Sequence, residues 1–256
     1  MEKGYAILKC RVCGCKKNER QESDMERTLK ISQIIPKDRI IPLLFAFVFN
    51  MAVYAGARMI AGEWRHFQIE GALDGLIPLW TPSAAIYIGC YLFWAWNYIC
   101  IARQAKKDMC RFFAADFLSR LVCFAVYLLF PTTNTRPVIA PDGFWNRVVL
   151  LIYQLDAPDN LFPSIHCLVS WFCYIGLRGR KEYPLWYRGA SLVMAVLVCI
   201  STLTTKQHVV VDVFGGVLLA EASYWAAKQP AVWKGYEKVL DFVNGKMLRR
   251  GAKDAE

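Results

Sequence analysis

The chain has 256 residues, of which 56% are hydrophobic and 14% aromatic, and it carries a formal net charge of +10. Apolar stretches close to the length that crosses a hydrocarbon core alternate with short basic connections, which argues against a soluble core and for one helical membrane domain. The basic residues gather in the connections with no reading element among them, so nucleic acid is not the expected partner.

The first 39 residues are polar and charge-dense and lack the apolar centre of a cleaved leader. Within them Cys10, Cys13 and Cys15 form CRVCGC. A closed zinc site wants four ligands and no histidine is near, so no metal is assigned there. The remaining seven cysteines read as small apolar residues in or beside helices.

A first span is predicted over Ile40–Ala61, and a second over Leu76–Ala102 whose start is blurred by Pro82. A third covers Phe112–Phe130. After the turn-rich PTTNTRPVIAPDG, the run Phe144–Leu155 is too short for a span and is expected at the interface or inside the bundle. A fourth span, Ser164–Leu177, is short enough that the helix is expected to start earlier or to run past Arg178 with that arginine snorkelling. The fifth runs Tyr187–Thr205 and the sixth His208–Ala227, joined so tightly that they must be antiparallel neighbours. From Gln229 the chain mixes aromatic and basic residues, as an amphipathic interfacial helix does.

Placing both termini and the even-numbered connections in the cytoplasm puts 25 of the 31 Lys and Arg there. That is the positive-inside asymmetry of an even number of spans. The expected architecture is therefore all-α and polytopic, a six-helix bundle over residues 40–228, with a basic cytoplasmic segment at 1–39 and a cytoplasmic tail at 229–256. The small connections suggest a bacterial plasma membrane. Nothing in the sequence fixes the oligomeric state.

Two of the three histidines stand at matched depth near the outer surface, His166 in DNLFPSIH and His208 in STLTTKQHVVVD. His208 and Asp212 are four apart and share a helix face. The carboxylate can hold one ring nitrogen and leave the other free to attack. Asp212 would sit a turn into the membrane, where an unpaired carboxylate is expensive, and His208 is its obvious partner. Pro163 suits a first helical turn, so Ser164 and the free N–H groups beside it form a receptor for an anion, with Arg136 and Lys206 supplying positive charge. A nucleophile, an orienting carboxylate, a second imidazole and a cationic cradle are the parts of a phosphoryl transfer that needs no metal.

These segments resemble the type 2 phosphatidic acid phosphatase (PAP2) superfamily, which includes lipid phosphate phosphatases and the sphingomyelin and inositol-phosphorylceramide synthases. Arg136-Pro137 matches the end of its first motif, Pro163-Ser164-Ile165-His166 its second, and Ser201, His208 and Asp212 its third. The resemblance implies a six-helix core, His208 as phosphohistidine nucleophile, Asp212 as its orienter, His166 as general acid, and Arg136 and Ser164 as phosphate ligands. No cofactor is implied.

Two departures stand out. Leu129 occupies the first-motif lysine position and Thr202 the third-motif arginine position. Lys206 offers partial compensation, and Asp159, Asn160 and Ser201 are candidates for a headgroup pocket, with Asp156 beside them. A thinner positive cradle suits a phosphodiester better than a doubly charged monoester.

The expected activity is hydrolysis of membrane lipid phosphates. The alternatives are headgroup transfer to a lipid alcohol and a non-enzymatic transporter or lipid-binding protein on the same fold. Elsewhere, Asp116 and Arg120 are spaced for an ion pair facing the bundle, and Glu221 is left to packing or to Arg120. Trp80, Trp145, Trp186 and Trp225 read as interfacial anchors, and Gly215-Gly216 as a point of close helix approach.

Overall fold

The computed structural model describes residues 35–253, with side chains to residue 246. The cysteines of CRVCGC lie outside the described residues. The chain divides into two units, Met1–Ile40 and Ile41–Glu256. The second carries the features described below.

Nine helices of five or more residues appear among the described residues: α1 Lys37–Ala61, α2 Ala72–Leu76, α3 Ala84–Ala102, α4 Lys106–Leu129, α5 Phe144–Leu155, α6 Ile165–Leu177, α7 Leu185–Thr204, α8 Val210–Ala226 and α9 Pro230–Lys253. A 3₁₀ turn, Thr81–Ser83, leads into α3 with Pro82 in its first turn, so the second span begins at the proline rather than at Leu76. One two-residue parallel pairing, Phe67–Gln68 (β1) with Thr132–Thr133 (β2), ties the segment after α1 to the segment after α4.

The protein is a mostly α-helical polytopic membrane protein. Four stretches are long and apolar enough to cross a bilayer: α1, the 3₁₀ turn with α3, α4, and α7. The count reaches five if α8 and α9, bent by 85° at the break before Pro230, make one broken span. The lipid-facing sides are greasy, with Phe47, Leu92, Leu121 and Phe214 all exposed.

Helix α6 corrects an expectation. It neither starts earlier nor runs past Arg178: Ser164 caps its N-terminus by accepting from the Cys167 N–H at 3.3 Å, and Arg178 ends it. Thirteen residues give about 20 Å of helix, short of the roughly 30 Å hydrocarbon core. Its surroundings explain the length. Cys167, Leu168, Phe172, Cys173 and Leu177 are fully buried, because α6 lies among α3, α7 and α8 rather than against lipid. Arg178 does not snorkel freely either. It makes a two-pronged contact with Glu221 of α8 at 2.7 and 2.9 Å, and the Trp171 indole N–H donates to the same carboxylate. Glu221 is thus the partner of Arg178, not of Arg120.

Arg120 and Asp116 do pair with each other, at 2.9 Å and almost fully buried, with the Tyr98 hydroxyl donating to the same carboxylate oxygen. Helix α9 lies along α4, where Lys106 reaches Glu237 and Asp241, and the Lys107 ammonium stands over the Trp233 ring.

Candidate active site

The turn between α7 and α8 places His208. Helix α7 ends when Lys206 takes a left-handed conformation at φ 57°, and the Gln207 and His208 N–H groups both donate to the Thr202 carbonyl. Two contacts pin this turn from the outside: the Lys206 ammonium donates to the Asp74 and Ile77 carbonyls at the end of α2, and the Val210 N–H donates to the Asp74 carboxylate at 2.8 Å. The backbone then enters α8, whose first turn carries Asp212. Its Oδ2 accepts from His208 Nδ1 at 3.2 Å and from the Val209 N–H at 3.0 Å. That bond puts the proton on Nδ1 and leaves the lone pair on Nε2.

The two motif segments are fastened directly to each other. The Ser164 N–H donates to the Asp212 carbonyl at 3.1 Å. Such proximity needs Gly216: a Cβ there would sit 2.6 Å from the Ser164 carbonyl oxygen and 3.1 Å from Leu168 N. As a result the His166 and His208 rings lie 5.7 Å apart, centroid to centroid, inclined at 58°. His166 is set by an aromatic wall on α3, with Tyr87 stacked at 4.5 Å, Trp94 tilted at 5.5 Å, and the Tyr91 hydroxyl 3.5 Å from Nε2.

Both imidazoles line one cavity of about 480 Å³ bounded by α1, α3, α5 and the loop before α6. Its polar lining includes Asn50, Asp156, Asp159, Asn160 and Gln207; none of its lining residues is lysine or arginine. Among the described residues no group of three or more His, Cys, Asp or Glu is placed to hold a metal ion. Burial raises the Asp159 carboxyl above its usual range, against the pull of Arg58, which pairs with it at 3.2 Å. At His208 burial opposes the positive charge, yet the hydrogen bond and charge of Asp212 outweigh it and raise the imidazole above its ordinary value.

Residues 59–226 match the sequence model of the PAP2 superfamily, most of the chain beyond the first helix. The chain belongs to that superfamily. No curated protein and no solved structure matches it.

In this PAP2 chain the residues expected to hold phosphate are occupied elsewhere. Arg136 donates to the Asp156 and Tyr153 carbonyls and to Gln207 Oε1 at 2.7 Å, with its guanidinium over the Tyr153 ring. It does not line the cavity itself but touches two residues that do, Gln207 and Asp156. The Ser164 hydroxyl is fully buried as a helix cap. Lys206 faces a second cavity of about 430 Å³, shared with Glu70, Asp74 and Asn134, which His208 also borders. Ser201 is buried and donates to the Val198 carbonyl, so it lines neither cavity, whereas Asp159 and Asn160 line the first. Leu129, at the first-motif lysine position, is 83% exposed at the C-terminal end of α4, and Thr202 is buried with its hydroxyl on the Cys199 carbonyl.

Tyr54, Tyr87, Tyr91, Trp94 and Gln207 also line the cavity, and nothing in the sequence singles them out. Tyr87, Tyr91 and Trp94 stand at i, i+4 and i+7, one face of a helix, but in a span an aromatic stripe looks like lipid contact. Gln207 carried no signal of its own beside His208.

Proposed function

We propose that this PAP2 chain is a membrane enzyme that cleaves the phosphate ester of a lipid in two steps through His208. The observation that carries this is the pair of imidazoles on one cavity, one held by Asp212 and the other by aromatic rings. In the first step the Nε2 lone pair of His208 attacks phosphorus, the bond from phosphorus to the leaving lipid oxygen breaks, and protonated His166 gives its proton to that oxygen. A phosphohistidine and a lipid alcohol result. In the second step His166, now neutral, takes the proton of an incoming hydroxyl, whose oxygen attacks phosphorus and releases His208. Asp212 stabilises the imidazolium character that His208 gains on attack. Water as the incoming hydroxyl gives a phosphatase, and a lipid alcohol gives a headgroup transferase. The lack of lysine and arginine on the cavity lining favours a donor phosphate with one charge, a phosphodiester, over a phosphate monoester.

The two-step chemistry goes with a six-span arrangement, in which α6 and α8 complete the crossings inside the bundle, both termini face the cytoplasm, and the site faces the outer leaflet. Phosphorus release and headgroup transfer should be measured on purified protein with chelator present, over lipid phosphates and phosphodiester lipids, with and without a lipid alcohol. Product from the wild type and none from His208→Ala is the expected result. Equal product from both, or none from well-folded wild type across the panel, would sink the reading.

A further inference from the structure

A cavity built to hold only a phosphate should end in positive charge, and this one does not. Beyond the imidazoles it carries the carboxylates of Asp156 and Asp159. Arg58 pairs with Asp159, whereas among the described residues the Asp156 carboxylate forms no salt bridge, Arg136 meeting this residue at its backbone carbonyl instead. Among the described residues the Asp156 carboxylate accepts from two hydroxyls, those of Tyr54 and Tyr87, the latter at 3.2 Å. Tyr87 in turn stacks on His166, so the carboxylate stands one tyrosine ring away from the reacting imidazoles. Tyr91 and Trp94 line the same space, and aromatic rings are the side chains that attract an organic cation.

The phosphate itself would then be met by neutral donors. Arg136 accepts nothing, so the Gln207 oxygen must face it and the Gln207 amide nitrogen must face the other way. That nitrogen has no partner on a side chain that is 1% exposed and lines the cavity, and the Asn160 amide nitrogen, 4% exposed, is likewise unpartnered. Buried donors left unpaired are costly, and a ligand oxygen would satisfy them. Amides also suit a phosphate bearing a single charge.

We propose that the donor is a zwitterionic lipid phosphodiester whose headgroup carries a cationic ammonium group, received by Asp156 and the rings of Tyr87, Tyr91 and Trp94, with its phosphate on Gln207 and Asn160. This rests on the two-step reading above, whose donor it specifies. The test separates binding from turnover. Purified His208→Ala, which holds ligand without processing it, is titrated in nonionic detergent with dodecylphosphocholine and with dodecyl phosphate, and tryptophan fluorescence is followed.

The phosphocholine amphiphile is expected to bind about tenfold more tightly than dodecyl phosphate. Adding Asp156→Asn should remove that preference. Tyr91→Leu should weaken the phosphocholine amphiphile severalfold more than it weakens dodecyl phosphate. Tyr91 is half exposed and bonds only to ring neighbours, so this variant decides the matter if Asp156→Asn does not fold. Equal affinities, or a preference for dodecyl phosphate, overturn the ammonium site. In a parallel turnover assay, His208-dependent cleavage of inositol or glycerol phosphodiesters but not of choline or ethanolamine ones also overturns it while leaving the two-step reading intact. Selective binding without turnover of any lipid does the reverse.

Discussion

Asp212 does two things with one oxygen: it holds the His208 ring and closes the first turn of α8 through the Val209 N–H. Its charge favours protonated His208, so the pH at which that ring becomes neutral lies above the ordinary histidine value. The neutral fraction of His208 should therefore grow with pH through that raised value, and because the proposed transfer also needs a proton on His166, activity should pass through a maximum with pH. In Asp212→Asn the imidazole is less easily protonated, and the acid limb of kcat/KM should move to lower pH while kcat falls about 100-fold or more. A limb that stays in place would show that Asp212 acts on folding alone. Lys206 is the opposite case, a cation that the sequence puts beside His208 and the backbone turns away from it. Lys206→Met should cost about 1–3 kcal/mol in thermal unfolding by freeing two α2 carbonyls, with little change in KM for lipid. The difference between these residues explains what a sequence can reveal about a site. His166, His208 and Asp212 are legible because their chemistry and spacing are unusual. Whether Arg136, Ser164 or Lys206 faces phosphate depends on which carbonyls and N–H groups compete for them, and those come from segments 17 to 132 residues away or from a helix end whose position the sequence leaves open.

At the scale of elements, the site depends on how closely α8 approaches the start of α6. Gly216→Ala would place a methyl against backbone atoms that have no rotamer to change, so the helices must separate. The expected cost is about 1–3 kcal/mol, with a loss of turnover larger than the loss of lipid binding, since the His166–His208 spacing is what opens. Comparing kcat with KM checks this. Gly215-Gly216 was readable as a close-approach pair. The length of α6 was not, because hydropathy measures how apolar a segment is and not whether its neighbours are lipid or protein. The 13-residue α6 is apolar because it is buried among helices, and its ends are set by the Ser164 cap and by Arg178 meeting Glu221. The Arg178–Glu221 contact, unforeseen in the sequence, fastens the far end of the same helix pair that Gly216 joins.

At the scale of the whole molecule, the helical membrane architecture follows from composition and basic connections, whereas the number of crossings does not follow from helix lengths alone. If α6 and α8 both cross, a cysteine at Asp142 and one at Lys181 lie on opposite sides of the membrane. An impermeant maleimide applied to sealed cells should label Asp142→Cys and spare Lys181→Cys, and equal labelling would remove the six-span arrangement. The cavity that holds both imidazoles is bordered by Ile88, Tyr91, Leu151 and Leu155, all well exposed and, apart from the Tyr91 hydroxyl, apolar. A mouth of that kind samples the leaflet as a two-dimensional solvent. Under the proposed function the quantity that sets the rate is then the mole fraction of donor among neighbouring lipids: diluting it with inert lipid at constant total donor should slow turnover, and adding more vesicles of the same composition should not speed each molecule up.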